Sequence, residues 1–303
     1  MSTSVIEFIK RKPEVFAFLW RILYAQCVNQ SRFLPLPPGW TNGSENLRYM
    51  DMADQWVKQT CDRTMTNDTM VANLLQFAIS YPISLSYETY TCGSVQWSMF
   101  KVTADGVAES AFVRPGQRPD YLYHGSPLSN WHSIIHNGLQ VTSNTAWMTS
   151  GAVFGKGIYC SDTLMVSESY STSGSASDHI IGVYETYGAT QYKKSPGYFV
   201  VPDAKLLMLR YLIWVPEGHN LHSIDAALRE MWNRRADARG TASAAGASIR
   251  QRRIERETAL VIEAGESQDR VTYPPEFPRA APIVDGIPIK DWGPRSSVVN
   301  YLK

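Results

Sequence analysis

Two short clusters hold the residue types that could do chemistry. The first is Tyr123-His124-Gly125-Ser126, with Asn130 four residues further on. The second is Phe154-Gly155-Lys156-Gly157-Ile158-Tyr159, with Ser167 and Tyr170 following Tyr159 by 8 and 11 residues. A glycine lets backbone N–H and C=O approach a ligand closely, as gripping a flat carboxamide requires. Tyrosine faces suit a cationic ring. Histidine and serine offer fixed partners to sugar hydroxyls. Together these types fit a site that stabilises positive charge developing at a sugar carbon, as in glycosyl transfer. Taken singly, each has a plainer reading. His124 would be a buried structural histidine, Tyr159 a strand tyrosine, Tyr170 a core aromatic and Ser167 a helix-surface hydroxyl. The joint order and spacing carry the argument.

The elements that must position these residues are legible in outline. Up to about residue 96 the pattern is helical. Val15, Phe16, Phe18, Leu19, Ile22, Leu23 and Ala25 recur at helical spacing, and the run stops at Pro35-Leu36-Pro37-Pro38. Tyr49, Met52, Trp56 and Val57 mark a second helix, and Met70, Val71, Leu74, Leu75 and Ala78 a third, ending before Pro82. From Trp97 the texture turns to short aromatic and β-branched runs between Gly, Ser and Pro turns. Strands are expected at Trp97–Val102, Asp120–His124, Gly157–Ser161, Ile180–Thr186, Tyr198–Val201 and Leu206–Val215. One helix, Asn130–Asn137, is closed by Gly138. Many short strands with few helices between them point to an antiparallel α+β fold. Residues 224–260 read as a helical, arginine-rich stretch with interleaved acids, broken from Gly240 to Ser248. A solvated mixed-charge face is the plain interpretation, with a nucleic-acid or partner surface as the lesser one. The proline-rich tail from Val271 is expected to lie extended along the body.

Composition bounds the function classes. The chain has 303 residues, 44% of them hydrophobic and 19% charged, with a formal net charge of +1. That is ordinary for a globular protein, and no global field draws it toward nucleic acid or an anionic membrane. Cys27, Cys61, Cys92 and Cys160 form no CxxC pair and have no zinc-ligand spacing, so free thiols in a reducing compartment and no metal are expected. The N-terminus does not read as a secretory signal. No apolar run approaches the roughly 18 residues that cross a bilayer. The expectation is a soluble, cytoplasmic protein, with the nucleus not excluded.

HGSPLSNWHSIIHNGL, GKGIYCSD and YFVVPDAKLLMLRYLIWV resemble the catalytic domain of the PARP-type (diphtheria-toxin-like) ADP-ribosyltransferases, over roughly residues 97–215. The resemblance implies NAD as co-substrate. It implies that His124 bonds a ribose hydroxyl, that Gly125 grips the nicotinamide amide through its backbone, and that Ser126 and Asn130 contact the adenosine side. Tyr159 would be the second residue of a catalytic triad, at the pocket floor. Ser167 would bond the carboxamide and Tyr170 would stack on the nicotinamide. The segment from about Ser143 to Phe154 would be the loop over the donor. The implied organisation is an N-terminal α-helical, regulatory-like domain (1–96), a split antiparallel β-sheet catalytic core (97–215) and a helical and extended C-terminal extension (216–303).

Polymer-forming members carry a glutamate as the third triad residue, where this chain has Tyr198. A carboxylate there can polarise the hydroxyl that attacks during elongation. A phenol, with a pKa near 10, is a weak base at neutral pH. Transfer of a single ADP-ribose is therefore expected, to a protein acceptor that includes the chain itself. Glu185 or Glu168 is an alternative catalytic carboxylate, although both are expected to be exposed. The His-Tyr-Tyr set is most similar to the branch containing a tail-anchored endoplasmic-reticulum mono-ADP-ribosyltransferase. Its membrane anchor has no counterpart after the last strand here, and no ubiquitin-conjugating domain of the kind joined to fungal relatives is visible. Two alternatives stay open: an inactive module that binds NAD or ADP-ribose without turnover, and an ADP-ribosyltransferase acting on nucleic acid.

Overall fold

The computed structural model describes residues 3–29, 35–40, 44–58, 68–92, 95–114, 116–141, 153–171, 179–215 and 221–238. The chain divides into two compact units, 1–244 and 245–303, and every described residue lies in the first. In order, the elements are α1 (Thr3–Arg11), α2 (Pro13–Val28), α3 (Ser44–Lys58), α4 (Thr69–Ala78), β1 (Ser84–Cys92), β2 (Val95–Thr103), α5 (Gly106–Phe112) and β3 (Asp120–Gly125). There follow α6 (Trp131–Asn137), β4 (Ile158–Cys160), α7 (Leu164–Glu168), β5 (His179–Thr186), β6 (Lys193–Ser195), β7 (Tyr198–Val201), β8 (Met208–Val215) and a last helix α8 over 221–238.

The strands form two antiparallel sheets. The larger has the order β1-β2-β8-β5-β3 and the smaller β4-β7-β6. The fold is α+β, as the sequence pattern indicates. One expectation is corrected: Ser84–Cys92, read from sequence as part of the helical half, is a nine-residue strand paired with β2 along its whole length. Tyr87, Thr89, Tyr90 and Thr91 favour a strand, but Leu85 alone is buried among residues 84–91, so no apolar face marks the segment in sequence.

The central strands are apolar on both faces because both faces are covered. Phe100 and Val102 of β2, Ile180 of β5 and Leu212 of β8 meet Val15, Phe18, Leu19 and Ile22 of α2 and Trp131 and Ile135 of α6. The intervening Met99, Ile181, Val183, Tyr211 and Ile213 meet Leu164 of α7 and Ile224, Leu228 and Trp232 of α8. Helix α2 is itself buried on two sides. Its other face, with Phe16, Trp20, Leu23 and Cys27, packs into a cluster with Met50, Ala53, Val71, Leu74 and Leu75 of α3 and α4. Helix starts are capped locally: Asp68 accepts from the amides of Met70 and Val71, and Asp105 from those of Val107 and Ala108. Gly138, at φ 72°, closes α6.

Cys27 and Cys160 are buried free thiols, and burial pushes each up to about 12. Two arginines of α8 are ion-paired, and Arg235 donates to the Tyr90 hydroxyl at 3.2 Å. Arg229 bonds Asp225 and Arg234 bonds Glu230, while Asp237 takes Arg118. Among the described residues no helix is long and apolar enough to cross a membrane. The rest of the arginine-rich stretch and the proline-rich tail lie outside the described residues, as does Cys61.

Candidate functional site

The two clusters are brought together where the sheets meet. Tyr123 and Ser161 form an isolated antiparallel bridge, with Tyr123 N–H donating to Ser161 O at 2.7 Å and Ser161 N–H to Tyr123 O at 2.9 Å. This bridge joins β3 to the end of β4, and β4 in turn pairs with β7, Tyr159 opposite Val200. His124, Tyr159 and Tyr198 thus sit on three neighbouring strands.

Alternation along β3 then sets out the site. Tyr123 directs its N–H and C=O away from β5, toward Ser161. Gly125, two residues on, directs its own pair to the same edge. A Cβ at Gly125 would lie 1.7 Å from the carbonyl oxygen of Ser167, so only glycine fits against α7. Ser167 itself is buried on α7. Gly157 is required for a similar reason: at φ 153°, its Cβ would meet Val200 Cγ1 at 2.5 Å.

His124 is partly buried, and its Nδ1 lies 2.9 Å from Tyr159 O. A carbonyl only accepts, so Nδ1 carries the hydrogen and Nε2 holds the lone pair in the neutral ring. Burial lowers the His124 pKa, and the bond to Tyr159 O opposes this. Nε2 meets no hydrogen-bond partner among the described residues. It can accept an O–H from a bound hydroxyl.

Ser126 is buried and its Oγ accepts from Asn130 Nδ2 at 3.0 Å, so these two form one polar pair. The Tyr159 hydroxyl donates to Gly155 O and accepts from Phe154 N–H, both at 2.9 Å. It pins the chain that leads into β4. Phe154 in turn lies against the ring of Tyr198, with centroids 5.7 Å apart. Tyr170 is 42% exposed. Burial, then the neighbouring phenols of Tyr198 and Tyr159, raise its pKa, which puts the three hydroxyls in one neighbourhood. Of the expected donor loop, residues 143–152 lie outside the described residues.

The alternative carboxylates are not exposed as expected. Glu185 is fully buried and receives Arg210 Nε at 2.7 Å and the Tyr187 hydroxyl at 3.0 Å. Arg210 also bonds Glu109 of α5, so Glu185 serves as a structural anchor between strands. Its place inside an apolar strand, two residues before Tyr187, gave no sign of a buried partner at 210. Glu168, 28% exposed, lies 3.6 Å from His179 Nδ1. Among the described residues no three His, Cys, Asp or Glu side chains are placed to hold a metal.

Three residues around His124 escaped the sequence reading. Trp131 donates from Nε1 to Ser126 O at 3.0 Å and sets its ring edge-on to His124. Tyr184 abuts the same imidazole at 89°. Both crowd Gly182, which lies opposite His124 in the sheet. A glycine inside an otherwise apolar strand was the available signal.

Residues 95–184 match the family model described as the poly(ADP-ribose) polymerase catalytic domain. The position of Tyr198 lies beyond that match. The chain is 49% identical over 51 residues to the protein mono-ADP-ribosyltransferase PARP8 of Mus musculus, covering 17% of this chain and 6% of that protein. It is 38% identical over 87 residues to poly [ADP-ribose] polymerase 2-A of Oryza sativa subsp. japonica, covering 28% of this chain and 13% of that one. It is 29% identical over 150 residues to the protein mono-ADP-ribosyltransferase PARP16 of Mus musculus, covering 38% of this chain and 45% of that one. The chain therefore spans less than half the length of each of these relatives. The matched residues contain His124, Gly125, Tyr159 and Ser167 in the arrangement just described, and over this segment the chain is similar to the PARP-type ADP-ribosyltransferase catalytic domain.

Proposed function

We propose that this protein is an NAD-dependent mono-ADP-ribosyltransferase, which moves one ADP-ribose from NAD to a protein acceptor, itself included, and releases nicotinamide. The observation that carries the reading is the His124–Gly125 corner. There a lone pair at Nε2 and a free backbone edge at Gly125 stand side by side, with Ser167 packed behind. In this reading Nε2 of His124 accepts a ribose hydroxyl, and the Gly125 N–H and C=O hold the carboxamide with Ser167. Tyr170 covers the nicotinamide face. Ser126 and Asn130 serve the adenosine side. The residues act by positioning the donor and by offering electron-rich groups as positive charge develops at the anomeric carbon.

Single transfer is supported by what occupies the third triad position. Tyr198 brings a phenol, not a carboxylate, and Glu185 cannot substitute because Arg210 holds it in the core. Glu168 lies 3.6 Å from His179 Nδ1. The triad is thus His124, Tyr159 and Tyr198, with Tyr159 acting through its carbonyl on His124 and through its hydroxyl on the loop. The three-part division into 1–96, 97–215 and 216–303 is proposed as a division of roles along the sequence, since β1, α2 and α8 share one core with the strands of 97–215; a cytoplasmic location is proposed as well.

Incubation with labelled NAD tests this directly. Protein-bound label of one ADP-ribose per site, with stoichiometric nicotinamide, is expected, and His124→Ala should lower nicotinamide release by about 100-fold or more. Absence of both label and nicotinamide would sink the reading. The second reading, a module that binds NAD or ADP-ribose without turnover, is favoured by the missing glutamate and predicts calorimetric binding with no nicotinamide release. Transfer to nucleic acid is motivated by the arginines of residues 224–260; of these Arg229 and Arg234 pair with Asp225 and Glu230, and Arg239 to Arg256 lie outside the described residues.

A further inference from the structure

We propose that Trp131 and Tyr184, seated together on Gly182, are positioning residues that hold the His124 imidazole in its Nδ1–H form with Nε2 turned to the donor. The inference rests on the transferase reading for its kinetic arm but not for its spectroscopic one.

Three restraints meet at this ring. Tyr159 O fixes Nδ1. Trp131 and Tyr184 stand nearly perpendicular to the imidazole, at 71° and 89°, each with its centroid 6.3 Å away. Edge-to-face contacts of this kind are directional, so two of them define the ring plane. Neither aromatic could sit there without Gly182. A Cβ at that position would lie 2.7 Å from Trp131 Cη2 and 2.7 Å from Tyr184 Cε2. Gly182 is directly opposite His124 across the β3–β5 ladder, so the space its missing side chain leaves is beside the histidine itself.

Trp131 has a second hold on the site. Its Nε1–H donates to Ser126 O, the carbonyl that follows Gly125. One fully buried side chain therefore orients the imidazole and anchors the backbone that presents the carboxamide-binding edge. Helix α6 owes its place to apolar packing of Ile135 and Trp131 against the sheet, so the packing of the core is what aims the site.

The experiment is nitrogen NMR on histidine-labelled protein without NAD, joined to steady-state kinetics of Trp131→Phe, Gly182→Ala and the double variant. In the unmodified protein His124 should show a protonated Nδ1 and an unprotonated Nε2. Trp131→Phe keeps a ring but loses the donor, and should mix the tautomers and lower kcat/KM about tenfold, the worth of one buried hydrogen bond. Gly182→Ala should displace the ring and lower kcat/KM about 100-fold, chiefly in kcat. Phenylalanine lacks the ring atoms that an alanine at 182 would strike, so the double variant should lose less than the product of the two single losses. Unchanged His124 nitrogen shifts in folded Trp131→Phe would overturn the proposal, whatever the activity. If Gly182→Ala fails to fold, Trp131→Phe decides alone. If the protein turns over no NAD, the tautomer measurement still stands, which separates failure here from failure of the proposed function.

Discussion

In the proposed reaction His124 acts as an uncharged ring. Burial outweighs the bond to Tyr159 O and lowers its pKa below the usual 6.5. Protonation would place a hydrogen on Nε2 and remove the acceptor for a ribose hydroxyl. The pH profile of kcat/KM should therefore be flat from about 6.5 to 8 and fall on the acid side, below the ordinary histidine value. A profile that falls above pH 6.5 would contradict it. Gly125 is equally constrained. Gly125→Ala should cost about 1–3 kcal/mol of stability, because its Cβ and the Ser167 carbonyl cannot share the same space. Activity should fall further than stability, since the displaced backbone is the proposed ligand edge. Chemical denaturation of the variant beside its nicotinamide release measures both.

Among the elements, α6 links the candidate site to the N-terminal helices through a histidine cluster. His132 is fully buried, with Nδ1 2.5 Å from the Tyr81 hydroxyl, and its ring lies 4.6 Å from that of His136. Phe77 lies against both rings. Burial, with His136 adding to it, pushes His132 down to about 3. The folded state thus binds this proton less readily than the unfolded chain. The stability it contributes is complete above pH 6.5 and is lost as pH falls toward 3, at a slope of about 1.4 kcal/mol per pH unit for one proton. Thermal unfolding followed from pH 7 to pH 4 should show this slope, and His132→Gln should flatten it. A slope unaltered by that substitution would place the acid sensitivity elsewhere.

For the whole molecule, the N-terminal helices are part of the body that forms the site. Phe18 of α2 stacks on Phe100 of β2 with centroids 4.4 Å apart, and Val15, Leu19 and Ile22 fill the same face of the sheet as Trp131. Removal of residues 1–80 would bare that face while leaving β1 intact. The truncated protein should be poorly soluble or melt well below the full chain. Calorimetry and light scattering test this, and a soluble fragment with unchanged Tm and kinetics would show that the helices are dispensable. Truncation of the single contact, Phe18→Ala, should cost about 3–5 kcal/mol.

Local pattern was enough for the strands that cover 120–124, 180–186 and 198–201, because hydrophobic alternation and glycine placement are short-range signals. His124, Gly125, Tyr159 and Ser167 were singled out by their joint order and spacing, and their proposed roles come from the family resemblance. Tertiary contact decided the rest. Glu185 is buried because Arg210, 25 residues away in sequence, reaches it across the sheet. Residues 84–92 carry the strand formers Tyr87, Thr89, Tyr90 and Thr91, and pairing with β2 is what fixes them in the sheet. Trp131 and Tyr184 bear on His124 only because β5 sets Gly182 opposite it. Spacing along the chain names the groups a ligand would meet, whereas register between strands determines which way each group points.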